Sequence, residues 1–159
     1  MLKLTKRSDY GLIALRHLAL ASDKAPTASA KEISDAYRIP LPLLSKVLQT
    51  LVKGGFLASE QGTKGGYRLA RPAGEITALE VIRAIDGPVI LTACFTHGGD
   101  CDQFDTCTVK SPLKKVHEGI LRLLDSTTVA DLSRDRDPLT RAQLVAIQNS
   151  DTAVPLRGN

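Results

Sequence analysis

Tryptophan is absent, and aromatic residues make up 4% of the 159-residue chain. Its core is therefore aliphatic, with Leu, Ile, Val and Ala on helices as the natural source. Long apolar runs are missing as well. The most apolar early stretch, 12–21, is broken by Arg16 and His17 and is too short to cross a bilayer. No leader pattern is visible, so the expectation is a cytoplasmic chain with no membrane partner. Enzymatic signatures are lacking too: there is no Ser-His-Asp grouping, paired-carboxylate, P-loop or dinucleotide motif, and the glycines of GTKGGY precede no helix. Cysteine is missing from everything except one stretch, CFTHGGDCDQFDTC, which holds Cys94, Cys101 and Cys107. In a reducing compartment, clustered thiols point to a metal rather than to disulfides, and the odd count agrees.

What is present is an uneven distribution of charge. Residues 1–75 carry 12 Lys/Arg against 6 Asp/Glu, 76–132 carry 5 against 8, and 133–159 carry 4 against 3. A basic front half on a mildly acidic middle suits a polyanion-binding module joined to something else. Scattered solvated lysines on a stable domain would be the plainer reading.

The periodicity predicts a helix over 5–21, apolar nearly all round and hence buried. A short helix follows over 31–37 with Ile33 and Ala36 turned inward, and the RIPLP stretch then interrupts. Pro42 opens the next helix, where its missing N–H is not needed. That helix runs to about Lys53, with Leu44, Val47, Leu48 and Leu51 at i, i+3, i+4 and i+7 on one side. Gly54 and Gly55 end it. FLASEQ and GYRLA read as the strands of a hairpin around GTKGG. A helix over 77–85 begins with a capping box of Thr77 and Glu80 and closes at Asp86-Gly87-Pro88. From about Pro112 a longer helix shows Val109, Leu113, Val116, Ile120 and Leu123 spaced 4, 3, 4, 3, a heptad seam two repeats long. Residues 133–159 read as a polar, flexible tail with a weak helical patch over 139–147.

Helix, short helix, turn, amphipathic helix and Gly-rich hairpin is the order of a winged helix-turn-helix. The fold expected is mainly α with a small β-hairpin wing, extended by a long dimerisation helix. The outward face of 42–53 offers Ser45, Lys46, Gln49, Thr50 and Lys53, with no acid anywhere in the segment. These donors and acceptors have the length to reach base edges in a major groove. A merely solvated helix more often alternates Glu and Lys. Lys64, at the hairpin tip between flexible glycines, is placed to meet phosphate or a minor groove.

In the loop, the spacing Cys-x6-Cys-x5-Cys is wider than the tight knuckles of structural zinc. It suits a loop wrapping a larger iron–sulfur body, with Gly98 and Gly99 supplying the bend; zinc and free redox-active thiols remain open alternatives. His97 reads as a solvated loop histidine and His117 as a packing or interface group. Asp100, Asp102 and Asp105 are hard oxygen donors, less suited to such iron than thiolate.

The opening LKLTKRSDYGLIALRHLA, the segment IPLPLLSKVLQTLVKGGFLAS, the wing GTKGGYRLAR, the ITALEVIRAIDGP helix and the cysteine loop occur in that order. Together, over roughly residues 1–132, they resemble the family of iron–sulfur winged-helix regulators that includes IscR and NsrR. The resemblance implies a homodimer binding pseudo-palindromic double-stranded promoter DNA under control of a [2Fe–2S] or [4Fe–4S] cluster. It implies Cys94, Cys101 and Cys107 as cluster thiolates. The IscR branch takes its fourth ligand from a histidine three residues after the last cysteine, where this chain has Lys110. The nitric-oxide-sensing branch uses an aspartate early in the first helix of the other subunit, and LTKRSD places Asp9 there. A helix first-turn acid favoured by the macrodipole is the plainer reading of Asp9. Pro42, Ser45 and Lys46 stand where the best-known IscR pattern has Ser, Glu and Gln, implying a different operator. The first cysteine gap is one residue longer than usual. The opening MLKLTKRSDYGL looks closest to a subgroup associated with control of the SUF cluster-assembly operon. The organisation expected is a DNA-binding domain over 1–75, the cysteine loop and dimerisation helix over 76–132, and a tail over 133–159.

Overall fold

The computed structural model describes residues 4–21, 27–63, 65–95, 101–134 and 145–147. Helix α1 (Lys6–Ala21) starts after Thr5, whose hydroxyl accepts a hydrogen bond from the Ser8 amide at 3.3 Å. It buries one stripe, Ser8, Gly11, Ala14, Leu15 and Leu18. The expected all-round burial does not hold: Leu12 and Ile13 are half-buried beside the stripe, and Leu20 is exposed because it lies off it.

Helix α2 (Ala30–Tyr37) is started by a capping box, in which Ser29 Oγ accepts from the Glu32 amide and the Glu32 carboxylate accepts from the Ser29 amide. Ile33 turns inward as expected, but Ala36 is exposed. Ser34 takes the second buried position instead, and its polarity is met because Oγ donates to the Ile39 carbonyl at 2.7 Å. Arg38, in the left-handed conformation at φ 54°, turns the chain into α3 (Leu41–Lys53). That helix starts one residue before Pro42, and Leu44, Val47, Leu48 and Leu51 are fully buried.

Strands β1 (Leu57–Glu60) and β2 (Gly66–Leu69) pair antiparallel with Leu57 opposite Leu69 and Glu60 opposite Gly66. Ala28 and Tyr67 exchange both backbone hydrogen bonds and tie the hairpin to the segment before α2. Gly66 is required there, since a Cβ would sit 2.6 Å from the Ala28 carbonyl oxygen. A 3-10 turn at Ala73–Glu75 leads to α4 (Ala78–Asp86), whose Thr77–Glu80 capping box is present.

The long helix α5 (Lys110–Ser126) begins two residues ahead of Pro112 and has no buried residue. A short helix not anticipated from the pattern, α6 (Val129–Arg134), follows. It returns because residues 76–78 and 127–129 pair: Thr77 bridges Thr128, the Ala78 amide donates to the Thr127 carbonyl and the Val129 amide to that of Ile76. Arg16 Nε reaches the Leu132 carbonyl at 2.9 Å, joining α6 to α1. One aliphatic core results. Leu15 and Leu18 of α1, the apolar face of α3, Val81 and Ile85 of α4, and Val129 of α6 belong to a single cluster. The tail expected from residue 133 begins later, since Ser133 and Arg134 still belong to α6; of the helical patch expected over 139–147 a helical turn at 145–147 is described, and the remaining tail residues lie outside the described residues.

Candidate functional site

Burial of the Leu44–Leu51 stripe forces the other side of α3 outward. Lys46, Gln49 and Lys53 are exposed, while Ser45 and Thr50 are half-buried at its margins. They are not chemically equal. Thr50 Oγ1 donates to the Lys46 carbonyl at 3.0 Å, so its proton is already engaged on its own helix. Between α3 and the hairpin lies an open groove lined by Gln49, Val52, Lys53, Ser59 and Tyr67. The wing's tip residue, Lys64, lies outside the described residues. Arg68 projects from β2 and is paired with Glu60 at 2.5 Å. Arg38 is exposed at the turn joining α2 to α3. Sequence reasoning passed over both arginines; the alternation in GYRLA would have placed Arg68 outward, whereas nothing in the pattern marks Arg38.

The cysteine loop joins α4 to α5. Cys94 sits in a 3-10 turn, Ala93–Phe95, with its Sγ 3.0 Å from Thr92 Oγ1. The neighbouring Phe95 ring lies against His117 of α5, centroids 5.1 Å apart, so His117 is a packing group. Tight turns follow Cys101, whose carbonyl accepts from the Phe104 amide at 2.9 Å. Lys110 Nζ donates to the Phe104 carbonyl at 2.6 Å and lies 4.1 Å over its ring, closing the segment around Cys107. All three cysteines are free and half-buried. Asp102 and Asp105 are exposed, and His97, Gly98, Gly99 and Asp100 lie outside the described residues. Asp9 is exposed in the first turn of α1, and its carboxylate has no hydrogen-bond or ion-pair partner among the described residues. Among those residues no three His, Cys, Asp or Glu side chains converge closely enough to hold a metal ion. A single copy thus brings the three thiols to one loop without gathering them and Asp9 into one centre.

Three free thiols on one loop are nonetheless the donor type an iron–sulfur cluster takes, whereas Lys110, a cation donating to the Phe104 carbonyl, has no lone pair to add to them.

Three carboxylates at helix starts are held in their charged form by hydrogen bonds. Glu80 is held below the usual glutamate range, first by the Thr77 amide hydrogen bond and then by Arg71, whose guanidinium is 3.2 Å away. The Ser29 amide and hydroxyl hold Glu32 down in the same way, as the Thr128 hydroxyl and amide do for Asp131.

A helical domain that presents an acid-free helix beside a two-stranded wing has the architecture of a winged-helix transcription regulator. Over residues 4–135 the chain matches, and belongs to, the Rrf2 family, described as "Iron-dependent Transcriptional regulator". As a member it is a regulator of transcription and not an enzyme. It is 34% identical over 139 residues to the HTH-type transcriptional regulator NsrR of Geobacillus kaustophilus (strain HTA426), covering 87% of this chain and 94% of that one. Among solved structures it is similar to CymR (YrzC), the global cysteine regulator of B. subtilis. There the TM-score is 0.69 at 27% identity, covering 86% of this chain and 100% of that one. It is also similar to T. potens IscR, with a TM-score of 0.67 at 27% identity, covering 91% and 96%. No helix among the described residues is long and apolar enough to cross a membrane.

Proposed function

We propose that two copies of this chain form a homodimer that binds pseudo-palindromic promoter DNA under control of an iron–sulfur cluster. Ser45, Lys46 and Gln49 of α3 read the major groove, Thr50 contributes its outer surface, and Lys53 at the end of the helix and Lys64 at the wing meet the phosphate backbone. Cys94, Cys101 and Cys107 hold a [2Fe–2S] or [4Fe–4S] cluster, and the partner subunit's Asp9 completes the ligand set. The observation that carries this reading is the placement of every thiol of the chain, free, on the loop between α4 and the unburied α5. DNA contact falls to residues 1–75, and cluster and pairing to 76–132.

When bound, the cluster supplies sensitivity to oxygen, nitric oxide or iron supply. This chain's residues turn that into a change in DNA affinity. Asp9 lies on the reading domain and the cysteines lie on the loop, so ligation across the subunits fixes the angle between the two recognition helices. A difference of about 1–3 kcal/mol between loaded and empty forms gives a 5- to 150-fold response. The genes controlled are those of cluster assembly or of the stress response.

A second reading keeps the DNA-binding dimer and uses the thiols directly, with zinc or without metal. It is favoured by the likeness to CymR, the global cysteine regulator of B. subtilis. Protein purified without oxygen separates the two by its absorption spectrum and by iron, sulfide and zinc counted per chain. Iron with matching sulfide and visible charge-transfer bands is expected. Zinc alone, or no metal after reconstitution, would replace the first reading by the second.

A further inference from the structure

Two hydroxyls from the start of α1 converge on one carboxylate at the end of α4. Thr5 Oγ1 lies 2.8 and 2.7 Å from the two oxygens of Asp86, and Ser8 Oγ donates to Oδ2 at 2.6 Å. The partners are 81 and 78 residues apart in sequence. Ser8 is fully buried, and its hydroxyl is satisfied there by Asp86. Just behind this contact α1 and α4 touch so closely that a Cβ on Gly11 would collide with Ile85 Cδ1. The first turns of α1 and the last turn of α4 are therefore fastened into one body by hydrogen bonds and direct packing.

Both arms of the sensor leave from that body. Asp9 stands one helical turn beyond Thr5, its amide donating to the Thr5 carbonyl at 3.1 Å. Asp86 ends α4, and Gly87, at φ 83°, then turns the chain toward Cys94. We propose that Thr5, Ser8 and Asp86 form a positioning latch that fixes where Asp9 is presented relative to the root of the cysteine loop. The proposal rests on the reading of Asp9 as a cluster ligand. The latch residues bind neither DNA nor iron; they hold the elements that do. In a dimer each latch would set one copy's Asp9 and the root of its own loop together, so it acts on both clusters indirectly.

The test is the rate at which the reconstituted full chain loses its visible absorption to a chelator in air. It compares Asp86→Asn, the near-isosteric pair Thr5→Val with Ser8→Ala, Asp9→Ala, and Asp86→Asn combined with Asp9→Ala. Supporting ligand residues typically change metal affinity roughly 10–100-fold, and an acceleration in that range is expected for both latch variants. In the Asp9→Ala background, Asp86→Asn should add nothing. DNA affinity of the metal-free latch variants should match that of the parent, which thermal melting of the same samples accompanies as a check on folding. If Asp9→Ala speeds the loss and the latch variants do not, the latch is wrong and the ligand reading stands. If the effects of Asp86→Asn and Asp9→Ala multiply, Asp86 is merely structural and the latch is again overturned. If Asp9→Ala changes nothing, the ligand reading fails and takes the latch with it.

Discussion

Gln49 and Thr50 are neighbours on α3, yet they have different things to offer a base. The Gln49 amide is exposed at the mouth of the groove beside the wing, while the Thr50 hydroxyl is bonded to the Lys46 carbonyl. Gln49→Ala should therefore cost about 1–3 kcal/mol and relax preference at a single base pair. Thr50→Val should leave affinity nearly unchanged. Anisotropy titrations against a duplex selected from random sequence, and against its single-base variants, measure both; equal losses would place the readout elsewhere on the helix. Lys53→Gln should weaken binding to all these duplexes alike and lower the slope of log K against log salt by about 1. At the loop, Cys101→Ser should abolish iron and sulfide uptake while the metal-free protein melts as before, because Cys101 is only half-buried and outside the core cluster. The thiols and the outward residues of α3 were legible in the sequence because their signals are local. Ser34 and Arg38 were not. A buried serine is tolerable only because the Ile39 carbonyl is there to receive its proton, and Arg38 owes its position to a left-handed backbone angle.

Helices α2, α4 and α6 begin with the same device, whereas α3 and α5 have no side-chain cap. Ser29 with Glu32, Thr77 with Glu80 and Thr128 with Asp131 each exchange side-chain and amide hydrogen bonds across a helix start. Thr77→Ala should cost about 1 kcal/mol in chemical denaturation, the usual loss of an N-cap. The pH dependence has a definite sign. Glu80 is lowered from its ordinary range by the fold, so its contribution is complete above that range and is lost as pH falls through the depressed value. Denaturation midpoints should fall with acidification in that window, and Glu80→Gln should flatten the fall; an unchanged profile would mean Arg71 and the Thr77 amide do not stabilise the charge. Gly11→Ala tests the α1–α4 crossing, where overpacking against Ile85 should cost about 1–3 kcal/mol. The capping box at 77–80 was read from sequence, and the same pattern at 29–32 and 128–131 was equally available. Helix α6 was not, since its six residues show no periodicity of their own. Its place depends on pairing with residues 76–78 and on Val129 entering a core built by distant segments.

At the scale of the whole molecule, α5 is the feature a single chain leaves unfinished. Its seam spacing was plain in the sequence, but only the structure shows that α4 packs on one part of the helix, leaving Leu113 and Ile120 half-buried and Val109, Val116 and Leu123 exposed. Val116 is 52% exposed and Leu123 68%, although each lies on the apolar side of a helix whose ends are held in place. In the dimer proposed above, a second copy would supply the same seam, and two-fold pairing would then set two recognition helices on successive major grooves, about 34–36 Å apart. Val116→Glu combined with Leu123→Glu should therefore give a monomer in sedimentation equilibrium. Neither side chain belongs to the core, so its melting should remain cooperative and its helix content high. DNA affinity should fall roughly 10²–10⁴-fold, the usual contribution of tethering a second binding event. A variant that stays dimeric would move the interface off α5. One that becomes monomeric yet keeps full affinity would separate pairing from DNA reading, and cluster ligation across subunits would then have no angle between recognition helices to control.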